Sequence, residues 1–90
     1  MPRERTTRPV APDAALFGAR LHELRQKRGL TLQALSDTAH MSLAFVSDLE
    51  RGLKLPSLTT LVRLAVALDC KVTALVAPFD KADLRAMLLK

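Results

Sequence analysis

The chain has 90 residues, 49% apolar and 3% aromatic, with a formal net charge of +5. That length allows one domain with a modest core, and the apolar fraction excludes a disordered chain. With only Phe17, Phe45 and Phe79 as aromatics, a platform that stacks single-stranded bases is excluded. The basic excess favours a polyanionic partner, with simple solubility as the alternative.

The excess is spread out. Residues 1–9 hold Arg3, Arg5 and Arg8 against Glu4, the middle carries eight bases and six acids, and residues 79–90 carry three bases and two acids. A single cysteine, Cys70, excludes an internal disulfide and suits a reducing compartment. Pro9, Pro12 and Asp13 break up the stretch after the N-terminal bases, so no signal peptide is expected. No apolar run approaches membrane-spanning length. A cytoplasmic protein is the expectation.

In chain order, "MPRERTTRPVAP" (1–12) has three prolines, four charges and no apolar period, which predicts a flexible basic arm. Asp13 is placed to cap a helix over 14–28, where Phe17, Leu21 and Leu24 share a face and Gly29 is the stop. Thr31 can cap a second helix, 32–39, with Leu32, Leu35 and Ala39 inward. Ser42 can cap a third, 43–50, with Val46 and Leu49 inward and Gly52 ending it. Ser57 can cap a fourth, 58–68, with Leu58, Leu61, Leu64, Ala65 and Leu68 at helical spacing. A short fifth helix is predicted over 72–76, before Pro78. Asp80 is placed to cap a sixth, about 81–89, with Asp83 as a capping-box acid. Nothing alternates with period two for long enough to be a strand. The predicted class is all-α, divided into the arm (1–12), a domain (13–77) and a helical extension (78–90).

Three stretches carry a family resemblance: "LRQKRGLT" at the end of the first helix, "FVSDLERG" at the end of the third, and "PSLTTLVRLAVAL" for the fourth. Together, residues 17–75 resemble a Cro/C1-type (XRE-like) helix-turn-helix domain. The resemblance implies a five-helix, lambda-repressor-like domain that places helix 43–50 in the DNA major groove, which admits one α-helix and displays a distinct pattern for each base pair. It also implies an ion pair between Glu50 and the Arg at the end of the first helix, here Arg25. Spacing agrees, because Glu50 shares a face with the inward Val46.

Ser42, Leu43, Ala44, Ser47 and Asp48 are then the candidate base contacts. Leu43 and Ala44 suit thymine methyls, Ser47 either type of edge, and Asp48 the cytosine amino group, unless it pairs with a nearby Arg. Thr31, Gln33, Ser57, Arg51 and Lys54 are the candidate phosphate contacts, with Lys27 and Arg28 as further cations. The arm's arginines are placed to reach a minor groove, or are simply a tail.

The chain departs from the family pattern twice. His40 stands where a turn glycine is usual, at a position that wants a left-handed backbone. Leu32 stands where many members have a phosphate-gripping Gln, for which neighbouring Gln33 is the candidate substitute.

Other chemistry finds little support. His22 and His40, 18 positions apart with Cys70 distant, do not have metal-ligand spacing. With only Gly18, Gly29 and Gly52, there is no glycine-rich phosphate loop. Nothing arranges Ser, His and Asp into a catalytic set. No metal, cofactor, small-molecule ligand or enzymatic activity is expected.

The predicted function is that of a sequence-specific, double-stranded-DNA-binding transcriptional regulator, a repressor or controller, acting as a homodimer. The alternative is a protein-interaction module such as an antitoxin. Val72, Leu75, Val76, Phe79, Leu84, Met87 and Leu88 are the expected dimer interface. The competing arrangement folds helix 81–89 back over the chain's own first and fifth helices.

Overall fold

In the computed structural model, residues 11–79 are described. The arm's Arg3, Arg5 and Arg8 and the predicted helix 81–89, with Leu84, Met87 and Leu88, lie outside them. The described residues form five helices: α1 (Pro12–Lys27), α2 (Leu32–Ala39), α3 (Leu43–Glu50), α4 (Leu58–Leu68) and α5 (Val72–Leu75). None is long and apolar enough to cross a membrane.

Helix α1 starts earlier than expected. Ala11 is its N-cap, Pro12 occupies its first position and no side chain caps it. Proline's missing N–H is one of the donors a helix start leaves unpaired in any case, and its ring pre-sets the helical φ. Asp13 therefore sits inside the first turn, where its Oδ1 accepts from the Ala14 N–H at 2.9 Å. An acid there also suits the positive end of the helix dipole. The next three helices start on side-chain caps: Thr31 Oγ1 accepts from Ala34 N–H (3.0 Å), Ser42 Oγ from Phe45 N–H (3.1 Å) and Ser57 Oγ from Thr60 N–H (3.1 Å).

Four of the helices end in one way. The residue after the last turn adopts a positive φ: Gly29 (67°), His40 (59°), Gly52 (75°) and Asp69 (54°). Its N–H and that of its successor fold back onto the helix. The back-folded successors Leu30, Met41, Leu53 and Cys70 donate to Arg25, Ser36, Asp48 and Ala65 carbonyls at 2.9–3.2 Å. These are Schellman closures, with an apolar residue at each exit. Two of them place an L-residue where glycine is unstrained. His40→Gly should therefore stabilise the fold by about 0.5–1 kcal/mol, the left-handed strain exceeding glycine's extra unfolded entropy. A rise of a few degrees in Tm checks this, and an unchanged or lower Tm contradicts it.

One core joins all five helices: Phe17 and Leu21 of α1, Leu35 and Ala39 of α2, Val46 and Leu49 of α3, Leu64, Ala65 and Leu68 of α4, and Leu75 of α5. Ser36 is the one buried polar side chain among the described residues, and its hydroxyl donates to the Gln33 carbonyl at 2.9 Å.

Three further sequence expectations need correcting. Leu58 is 73% exposed, not inward. At 3.6 residues per turn it lies about 90° from the centre of the Leu61–Leu64–Leu68 face, at the flank of the helix rather than on its inward side. Leu75, expected at a dimer interface, is wholly buried in the chain's own core. The fifth helix also stops one residue early, because Val76 leaves helical geometry (φ −106°, ψ 11°).

Candidate nucleic-acid interface

Helix α3 is held against α1 at unusually close range. At Gly18 an added Cβ would stand 2.5 Å from the Leu49 and Glu50 carbonyl oxygens and 2.9 Å from the Glu50 carbonyl carbon. Only a residue without a side chain lets the two backbones meet there.

Further along the same contact, Arg25 Nη2 donates to Glu50 Oε1 at 3.0 Å and Arg25 Nε to Glu50 Oε2. Both side chains are nearly buried, at 11% and 7% exposure. Arg25 Nη1 also donates to the Leu30 carbonyl at 2.7 Å. The hydrogen bond to Glu50 raises the Arg25 pKa beyond its already high ordinary value, against the opposing effect of burial.

His22 stands on the exposed side, its Nδ1 2.8 Å from Glu50 Oε1. A carboxylate only accepts, so this nitrogen carries the proton. Arg25 Nη2, 3.2 Å from the same nitrogen, then packs beside it rather than donating to it. Sequence reasoning missed His22, although its spacing of three from Arg25 places the two on one face.

The charge of α1 is largely internal wiring. Arg20 Nε donates to the Ala74 carbonyl at 2.8 Å, tying α1 to α5, and its Nη1 pairs with Glu23 at 2.9 Å. Arg28, a candidate phosphate contact in the sequence, donates through Nη2 to the Asp69 carbonyl at 2.6 Å. It closes the negative end of α4, where a cation is favourable. Lys27 remains exposed.

On α3, Val46 and Leu49 are wholly buried, while Leu43 is 43% exposed. Ser42 and Ala44 are exposed, and Ser47 and Asp48 half-buried. Asp48 sits between two cations, with Arg51 Nη1 at 3.9 Å and Lys54 Nζ at 3.7 Å. Lys54 also lies 5.7 Å above the Phe45 ring, within cation–π range. The structure thus gathers Asp48, Arg51 and Lys54 at the exit of α3.

Thr31, Ser42 and Ser57 act as caps. A capping oxygen accepts, so the hydroxyls of Thr31 and Ser42 keep a hydrogen to donate, whereas Ser57 Oγ also shares a hydrogen bond with Thr60 Oγ1 at 3.0 Å. Gln33 spends one amide hydrogen on Asp37 Oδ1 at 2.9 Å and retains the other. Cys70, at the exit of α4, is half-buried, and burial pushes its thiol pKa up.

A short α2 and α3 joined by a three-residue turn, braced by α1 and closed by α4, is the arrangement of a helix-turn-helix. The family of that description, the helix-turn-helix domain, matches residues 16–79. The chain belongs to this family.

The helix-turn-helix protein is 36% identical over 66 residues to an uncharacterised HTH-type transcriptional regulator, y4dJ, of Sinorhizobium fredii, covering 73% of this chain and 86% of that one. It is 54% identical over 46 residues to the HTH-type transcriptional regulator DdrOP3 of Deinococcus deserti, covering 51% of this chain and 36% of the relative. The chain thus spans little more than a third of the Deinococcus protein. Among solved structures it is similar to the restriction-modification controller protein C.AhdI of Aeromonas hydrophila, with TM-score 0.69 and 36% identity over 70% of this chain and 96% of that one. The described residues share their all-helical fold with C.AhdI.

Proposed function

We propose that the protein is a sequence-specific, double-stranded-DNA-binding transcriptional regulator, a repressor or controller, and a binding protein rather than an enzyme. The observation that carries this reading is the division of labour on α3. Val46, Leu49 and Glu50 are given to the body, and Ser42, Leu43, Ala44 and Ser47 face away from it. A helix of this size enters the major groove with its N-terminal residues at the base edges. Thr31, Gln33 and Ser57, at or near the starts of α2 and α4, and Arg51 and Lys54 beyond α3, are the phosphate contacts, positioning the helix without reading sequence. Asp48 assists by holding Arg51 and Lys54, and this role competes with direct reading of cytosine. Its relatives' description as transcriptional regulators supports the same reading.

Capture of bound fragments from a fragmented genome tests it. The expected result is enrichment of a two-fold-related site. Changing Arg51 and Lys54 together to Ala should weaken binding to selected and random duplexes alike. Absence of any enriched site, or an unchanged affinity in the double variant, contradicts the assignment.

The functional unit we propose is a homodimer that sets the two recognition helices about 34 Å apart, one turn of the duplex. With Leu75 buried, its interface shifts towards α4, where Leu58, Val62 and Val66 recur along one side and Leu55 stands just before it, 46–75% exposed. Half-buried Val72, Val76 and Phe79 and the tail's Leu84, Met87 and Leu88 are its remaining candidate members. Apolar patches of this kind are commonly covered by a partner. Because Val62 and Val66 contribute nothing to the core, Val62→Asp with Val66→Asp should give a folded monomer with reduced affinity for the selected duplex. Sedimentation that still showed a dimer would place the interface elsewhere.

A further inference from the structure

The outward side of α3 carries no group suited to reading a purine by paired hydrogen bonds. The helix, LAFVSDLE, contains no Arg, Lys, Asn or Gln, the residues that grip guanine or adenine edges with two bonds. Its one outward-leaning acid, Asp48, is occupied between Arg51 and Lys54. Ser47, one turn beyond Leu43, accepts or donates and so does not choose between edges.

What the first turn offers is apolar: Leu43, 43% exposed, and exposed Ala44. The fold does not require a leucine there, since Val46 and Leu49 already fill the core position of α3. In the major groove, an apolar side chain has one complementary feature, the methyl group at C5 of thymine. 5-Methylcytosine carries the same methyl on the same ring carbon.

We infer that α3 selects its site through the C5 methyl groups of pyrimidines, with Leu43 and Ala44 as the residues that touch them. This rests on the reading of α3 as the recognition helix. Specificity is then written mainly in methyl positions, and the polar residues around α3 set register.

The test begins with selection from a random duplex library. The best duplex is remade with uracil in place of thymine, which deletes only the methyl. Affinity should fall about fourfold for each contacted methyl lost, or about sixteenfold for one in each half-site. In the exposed-site variant Leu43→Ala, the thymine–uracil difference should shrink while the salt dependence of binding stays.

Two further duplexes replace the contacted T·A pairs with cytosine or 5-methylcytosine paired to guanine. A gain from methylating cytosine assigns recognition to the methyl on either base, and a benefit confined to thymine assigns it to thymine. Steeply salt-dependent binding of the selected duplex that is indifferent to uracil overturns this inference and leaves the function intact. Full thymine–uracil discrimination in Leu43→Ala also overturns it. Failure to prefer any duplex overturns both.

Discussion

Glu50→Gln and Arg25→Met should each destabilise the fold by about 3–5 kcal/mol, the cost of stranding one charge of a buried pair. Exposures of 11% and 7% place this pair well away from the surface class, whose members are worth little. Arg25→Met removes the donors on both carboxylate oxygens and the bond to the Leu30 carbonyl. Among the described residues, His22 alone then remains hydrogen-bonded to Glu50. Glu50→Gln keeps the shape but leaves a guanidinium facing a neutral amide.

The double variant should lose much less than the sum, because the unpaired charge is the costly state. The raised Arg25 pKa gives the sign of any pH effect: its stabilisation is complete below the arginine range and disappears only above it, so the cationic half does not titrate in ordinary buffers. Thermal and urea unfolding of the two singles and the double measure the coupling. Small, additive losses would show that the pair does not brace α3.

Gly18→Ala should also destabilise the fold, though by less. In an ordinary helix the change would gain about 1 kcal/mol of helix propensity. Here the new methyl meets two carbonyl oxygens at 2.5 Å and a carbonyl carbon at 2.9 Å. All three are backbone atoms, so no side chain can swing aside, and α1 must move away from α3. Overpacking of this kind typically costs about 1–3 kcal/mol, occasionally more, and the shift also pulls Arg25 out of register with Glu50. A net loss of about 2 kcal/mol or more is expected, a fall in Tm on the order of 10 °C for a domain of this size. A Tm equal to or above that of the unsubstituted chain would mean that the close approach is not required.

The elements were legible in the sequence because local chemistry dictates them. Thr31, Ser42 and Ser57 announce helix starts by hydroxyl, and Gly29 and Gly52 announce stops by their freedom at positive φ. His40 was legible only through the family pattern, which asks for glycine there. Asp69 makes the same turn without either clue.

Periodicity found the inward Leu64 and Leu68 but over-read Leu58. A helical face does not reveal how far along the helix its neighbour extends. Gly18 was harder still: a mid-helix glycine signals some close approach, but its partners, Leu49 and Glu50, are distant in the chain. The charge of α1 misled in the same manner, since nothing local distinguishes Arg28, spent on the Asp69 carbonyl, from exposed Lys27.

These braces bear on function through rigidity. Two short helices do not hold a groove-reading geometry alone, and α3 gains its orientation from its own Glu50 against Gly18 and Arg25 of α1. The direct test of the central claim, that this scaffold presents α3 to duplex DNA, is the affinity for the captured site as salt rises. The proposed dimer, neutralising roughly 6–10 phosphates, should lose about 10³–10⁵ in affinity between about 50 and 200 mM salt. Affinity for that site that stayed level across the same range would contradict the claim.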